Sequence, residues 1–233
     1  MVNQIQSMDR IQVQAHVSAF VRSVYNWMAA GLALTGLVAY FVSSSPELFN
    51  IARKGFLLFA IAEIGLVFWL SARIGKMQAS TATGMFLLYA FLNGITMSII
   101  FILYTKSLIA STFFICAMTF AALSVFGWVT KKDLSGMGSF LMMGLIGIII
   151  ASVVNIFVQS SGMQMIISYI GVLLFAGLTA YDTQTIKQMA VSQPAGLDVG
   201  VVRKGAIIGA LKLYLDFILM FQYLLYILGG SRD

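Results

Sequence analysis

Polar and charged positions along this chain come in short clusters, and the stretches between them are almost wholly apolar. Seven such stretches run at about Tyr25–Val42, Phe56–Ala72, Thr83–Tyr104, Leu108–Val129, Met137–Val158, Met165–Asp182 and Gly205–Leu228. Each approaches the ~20 residues that carry a helix across the hydrocarbon core of a bilayer. Alternating strands of ~10 residues, the mark of a membrane barrel, are not seen. An open strand in lipid would leave its N–H and C=O groups unsatisfied. The pattern therefore predicts an all-α membrane protein with seven transmembrane helices.

The connections are short. Spans three and four are separated only by Thr105–Ser107, and the longest polar connection, between spans six and seven, centres on Gln193-Pro194-Ala195-Gly196. Pro46 and Pro194 are the only prolines, and both lie in connections, so no span is expected to be broken by proline as in many transporters. Residues 1–22 read as a polar N-terminal tail and 23–233 as the membrane domain. The tail carries Asp9, Arg10, His16 and Arg22, with no short apolar core and cleavage site, so the first span is expected to act as its own insertion signal. Gly144, Gly147, Gly171 and Gly177 are expected to let helices approach closely.

Composition strengthens this picture. Hydrophobic residues make up 60% of the chain and charged residues 9%, against about 25% charged in soluble domains. Lipid is thus the main solvent. The net charge of +6 is spread through the connections with no basic face, which argues against a nucleic-acid partner. The fourteen Lys and Arg read instead as orientation signals. With the N-terminus inside, nine fall on inner segments (Arg10, Arg22, Arg73, Lys76, Lys131, Lys132, Lys187, Arg203, Lys204) and four on outer ones (Arg53, Lys54, Lys106, Arg232). Lys212 lies within the last span. This bias predicts a cytoplasmic N-terminus and a C-terminus outside. A single cysteine, Cys116, excludes an internal disulfide and a cysteine-based metal site.

Candidate chemistry lies in the acidic residues. Asp9, Glu47, Asp133, Asp198 and Asp233 fall in tails or connections, leaving Glu63 in span two, Asp182 at the inner end of span six and Asp216 midway along span seven. Carboxylates at membrane depth cost several kcal/mol and mark partners or cavities. Asp216 stands about eleven residues into its span, roughly 16 Å deep. If span six runs a few residues past Asp182, the two can meet. A close carboxylate pair does not readily ionise twice, so it shares a proton and titrates as a unit. It is a pH-sensitive latch and a partial site for a hard cation.

Other readings stay open. Lys212, one turn before Asp216, can neutralise it, and Asp182 can bond to Lys187 or to water. Glu63 can pair with Arg73, or with a buried Ser or Asn. Asn93 and Asn155 read as interhelical hydrogen-bond partners. Tyr181 and Tyr214 flank the aspartates as donors or as interfacial residues. Tyr181-Asp182 also fits half of the pattern of intramembrane aspartyl proteases. Their Gly-x-Gly-Asp is replaced here by Leu213-Tyr214-Leu215-Asp216, and Pro194 is followed by Ala195-Gly196 rather than by Ala-Leu. With no phosphate-binding loop either, neither an enzyme nor a cofactor is expected.

Four strings then stand out: Val24-Tyr25-Asn26-Trp27-Met28-Ala29-Ala30-Gly31-Leu32, Asp133-Leu134-Ser135-Gly136, Gly177-Leu178-Thr179-Ala180-Tyr181-Asp182-Thr183-Gln184 and Leu213-Tyr214-Leu215-Asp216-Phe217-Ile218. They resemble the Bax inhibitor (transmembrane Bax-inhibitor-motif) family, especially its bacterial inner-membrane members. The resemblance implies a last helix surrounded by the other six. It also implies a pH-sensitive calcium leak, with Asp182 and Asp216 as latch, sensor and transient calcium ligands. It further implies a closed-state arginine near the end of span two, for which Arg73 is the candidate. The contrasting reading is a non-conducting regulator that binds a membrane protease or other membrane proteins through the polar tail.

Overall fold

The computed structural model describes the backbone of residues 2–192 and 198–230, with side chains from Gln14 onward. Expectations resting on the side chains of Asp9 and Arg10, on Gln193-Pro194-Ala195-Gly196, or on Arg232 and Asp233 fall outside the described residues. Helices follow one another as α1 (Val2–Ser44), α2 (Pro46–Lys54), α3 (Phe56–Arg73), a 3₁₀ turn (Ile74–Lys76), α4 (Ala79–Met97), α5 (Ile100–Leu103), α6 (Lys106–Val129), α7 (Ser135–Val158), α8 (Ser161–Ser192) and α9 (Val199–Gly230). No strand occurs among the described residues. Seven helical segments are long and apolar enough to cross a membrane: Gln14–Ser44, Phe56–Lys76, Ala79–Leu103, Lys106–Val129, Ser135–Val158, Ser161–Ser192 and Val199–Gly230. The protein is an all-α, multi-pass membrane protein.

Local chemistry explains three departures from the expected boundaries. α2 was not expected. Pro46 at its first turn, Glu47 near its N-terminus and Arg53 and Lys54 in its last turn suit a helix dipole. The third span is interrupted without proline. Around Ser98 the bonding tightens to i−3, with Ser98 N–H on the Ile95 carbonyl at 3.2 Å and Ile102 N–H on that of Ile99 at 3.0 Å. The Ser98 hydroxyl also donates to Ile95 at 2.7 Å, competing with the helix ladder. Finally, α8 does not stop at Asp182 but runs on to Ser192. Ile186 and Ala190 continue its buried face, and the Thr179 and Thr185 hydroxyls bond back to the Phe175 and Tyr181 carbonyls. Asp182 is therefore interior to its helix rather than at its inner end.

The chain forms two compact units, 1–102 with 186–214, and 103–185 with 215–233. In the first, α1 packs along α4, and α3 packs on α4 as well. The buried stripe of α1 comprises Val17, Phe20, Val24, Met28, Thr35 and Ala39. It begins inside the segment that reads as a polar tail, and α1 continues through that segment without a break. Backbones touch at Gly94, where a Cβ would stand 2.8 Å from the Thr35 carbonyl oxygen. In the second unit, the spaces that side chains at Gly144, Gly171 and Gly177 would need are taken by Leu174, Tyr223 and Leu141, as close helix approach requires. Gly147 differs, since a Cβ there meets nothing within 4 Å. α9 is the most buried span, with half its membrane window covered.

Candidate functional site

α8 and α9 are in contact where Phe175 stacks on Tyr223, with ring centroids 6.1 Å apart, and where Gly171 abuts the same Tyr223 ring. At another level, a Cβ on Gly209 would meet Ile186 at 3.2 Å. Residue numbers on the two helices run in opposite directions between these contacts, so the helices are antiparallel. Asp182 lies seven residues after Phe175, and Asp216 lies seven before Tyr223. Seven residues are nearly two whole turns, drifting only ~20° around the axis. Each aspartate therefore shares the face of the aromatic that marks the α8–α9 contact, and both stand at one level, within the second unit. Both are buried, with 7% and 4% of their surface exposed. Asp216 stands about 25 Å along α9 from its first residue, Val199.

Aromatic rings pack against this level on one side. Phe113 and Phe120 of α6 pack edgewise on Phe217, beside Asp216, at 5.4 and 5.6 Å. The Cys116 thiol points at the Phe217 carbonyl, 3.6 Å away. On the same buried face of α6, Thr112 Oγ1 and Ser124 Oγ have no hydrogen-bond partner. Neither carries a distinguishing mark in the sequence.

The Tyr181-Asp182-Thr183-Gln184 string holds a second device. The Gln184 amide accepts from the Leu134 N–H and donates to the Lys132 carbonyl, both at 2.9 Å. This pair of bonds clamps the connection before α7 onto α8, two residues from Asp182. Asp133, in the same connection, accepts from the Ser135 N–H at 2.9 Å, at the start of α7. Hydrogen bonds from Ser135, through its side chain first and then its backbone, hold the Asp133 carboxyl below its usual range. Two of the four strings noted in the sequence thus meet here, at positions whose role was not evident from spacing.

The remaining candidates are divided. Tyr181 packs its ring against Gly138 of α7. Lys212 is half-buried one turn before Asp216, and Lys187 is half-buried five residues after Asp182. Arg73 is exposed at the end of α3. Glu63 bonds to Asn93 and Thr96 of α4 rather than to Arg73. Tyr214 lies in the first unit and bonds to Asn93 and Thr35. Asn93 and Asn155 both bridge helices, the latter through Gln164 at 3.1 Å. No three His, Cys, Asp or Glu side chains gather among the described residues.

Known proteins resemble this chain over most of its length. The family described as "Inhibitor of apoptosis-promoting Bax1" matches residues 17–233. The chain belongs to the Bax inhibitor family. Among its relatives is the inner membrane protein YbhL of Escherichia coli, 45% identical over 225 residues, covering 95% of this chain and 96% of that protein. An uncharacterized protein of Borreliella burgdorferi is 43% identical, covering 92% of this chain and 93% of its own length. One from Caulobacter vibrioides is 37% identical, with 96% and 93% covered. The Bax inhibitor family match takes in all seven spans from Val17 onward, including both aspartate strings.

Proposed function

We propose that this member of the Bax inhibitor family is a pH-sensitive calcium leak of the bacterial inner membrane, gated by Asp182 and Asp216. The observation that carries this reading is the burial of both carboxyl groups at one level of the α8–α9 contact. In acid the pair shares or holds protons and the helices stay packed. As protons leave, like-charge repulsion and attraction for a hard cation favour an open arrangement around α9. Two aspartates fall far short of the ~6–8 oxygens that calcium takes, so water, carbonyls and hydroxyls complete a weak site, which suits passage.

The N-terminus is assigned to the cytoplasm and the C-terminus to the outside, on the charge bias of the connections. One face of the first unit is compatible with this. Lys204, near the start of α9, donates to the Gly75 carbonyl at 3.2 Å, and Arg203 lies 5.4 Å from the Trp27 ring centre. The connections before α4 and α9 therefore share one side. Localisation to the inner membrane follows that of YbhL, the inner membrane protein of Escherichia coli that this chain resembles.

The test is calcium flux into proteoliposomes loaded with an indicator dye, at mildly acidic and mildly alkaline pH. Wild type is expected to pass more calcium at the higher pH, and Asp182→Asn with Asp216→Asn to lose that dependence. Absence of flux at either pH from demonstrably folded protein overturns the leak and leaves the regulatory reading.

A further inference from the structure

A separate buried polar assembly lies in the first unit, around Glu63 of α3. Glu63 is 9% exposed. Its Oε2 faces the Asn93 amide nitrogen at 3.0 Å, and its Oε1 faces the Thr96 hydroxyl at 2.9 Å. Thr96 Oγ1 also lies 3.0 Å from the Asn93 carbonyl oxygen. Asn93 Oδ1 accepts from the Tyr214 hydroxyl at 3.1 Å, and Tyr214 stands 2.7 Å from Thr35 Oγ1, which in turn reaches the Ala90 carbonyl at 2.8 Å. Side chains from α3, α4, α9 and α1 thus form one continuous chain.

Thr96 has one hydroxyl proton and two acceptors, Glu63 Oε1 and the Asn93 carbonyl. A proton on Glu63 Oε1 resolves the competition: the acid donates to Thr96, and Thr96 donates to Asn93. Asn93 continues to donate to Oε2, which remains a carbonyl oxygen. Every short contact around Glu63 is then a hydrogen bond, and Glu63 itself carries no charge.

The charge environment agrees. Both hydrogen-bond partners of Glu63 are neutral, and among the described residues no cationic side chain bonds to it. The titratable groups facing it are Tyr89 of α4 and Tyr214 of α9, stacked edgewise at 5.7 Å. Glu47, Arg53 and Lys54 of α2, Arg73 at the end of α3 and Lys76 in the turn beyond are exposed. Lys212 precedes Tyr214 by two residues, on the other side of α9. An ionised carboxylate at membrane depth with only neutral partners is costly, and such a group ordinarily neutralises instead.

We infer that Glu63 is a proton-binding site distinct from the aspartate pair, held in this structure as the neutral acid by Thr96, Asn93 and Tyr214. On release the proton passes to solvent water. The Thr96 proton then turns to the carboxylate, leaving the Asn93 carbonyl to its helix bond. Proton binding here does not depend on calcium passage.

Infrared difference spectra of the protein in lipid, between acidic and alkaline buffers, test this. The C=O stretch of protonated carboxyl groups is expected to contain a component that persists at neutral pH. The Asp182→Asn, Asp216→Asn double variant should retain that component, and Glu63→Gln should lose it. Glutamine keeps the size of the neutral acid and can donate to Thr96, so the fold is expected to survive. A band that Glu63→Gln leaves unchanged at every pH overturns the proposal. Thr96→Val provides a second measurement with Glu63 intact: loss of the acceptor is expected to raise the frequency of the Glu63 component, and an unshifted component overturns the arrangement.

Discussion

At the scale of single residues, the connection before α7 depends on one amide. Gln184→Ala leaves the Lys132 carbonyl and the buried Leu134 N–H without their partner. Each unmet group costs about 1–3 kcal/mol where water does not replace it. Thermal unfolding in detergent is expected to show a clear loss of stability, with Gln184→Glu intermediate, because a carboxylate accepts from Leu134 but cannot donate to Lys132. Asp133 makes a different prediction. Its folded-state value is depressed by hydrogen bonds from Ser135. Its contribution is therefore present above its unfolded value and lost as pH falls through the folded one. Asp133→Asn is expected to lower stability at neutral pH and to converge with wild type in acid. Parallel melting curves of the two proteins across acidic pH check the sign.

At the scale of elements, the closeness of α1 and α4 rests on Gly94. A methyl group there would sit 2.7 Å from Val38 Cβ and 2.8 Å from the Thr35 carbonyl oxygen. Gly94→Ala is expected to force the helices apart at a cost of about 1–3 kcal/mol, weakening the Thr35–Ala90 bond. Gly147→Ala meets open space and is expected to be neutral or to stabilise by up to ~1 kcal/mol, from helix propensity alone. Comparing the two melting temperatures separates packing glycines from incidental ones. The N-terminal part of α1 is likewise structural: Phe20 is 3% exposed, and Phe20→Ala is expected to cost about 3–5 kcal/mol. Deleting residues 1–20 would remove this packing with the tail, so a test of partner binding through the tail is cleaner with a shorter deletion that spares Val17 and Phe20.

At the scale of the whole molecule, seven spans oblige the two termini to lie on opposite sides. Cys116 is buried, so Cys116→Ser provides a background for reporter cysteines at exposed connections. A cysteine at Lys131 is expected to react with an impermeant reagent only when the cytoplasmic side is opened, and one at Lys54 from outside. The reverse pattern would invert the assigned topology.

Much of this architecture was legible from the chain itself. Lipid admits only long apolar helices, so the number and approximate placement of the spans follow from hydropathy alone. The cost of a carboxylate at membrane depth likewise singles out Glu63, Asp182 and Asp216 in any reading. Tertiary structure decided what those groups meet. α8 passes Asp182 because Ile186 and Ala190 find buried surroundings, and no local pattern shows that such surroundings exist. Glu63 takes Asn93 and Thr96 rather than Arg73, and Gln184 grips a connection 50 residues away. Gly144 is packed while Gly147 is not, although both read alike as small residues. Burial in lipid depends on the residue's own transfer cost and is written locally. Partnership depends on which helix faces lie opposite each other, and that is decided by packing between segments distant in the chain.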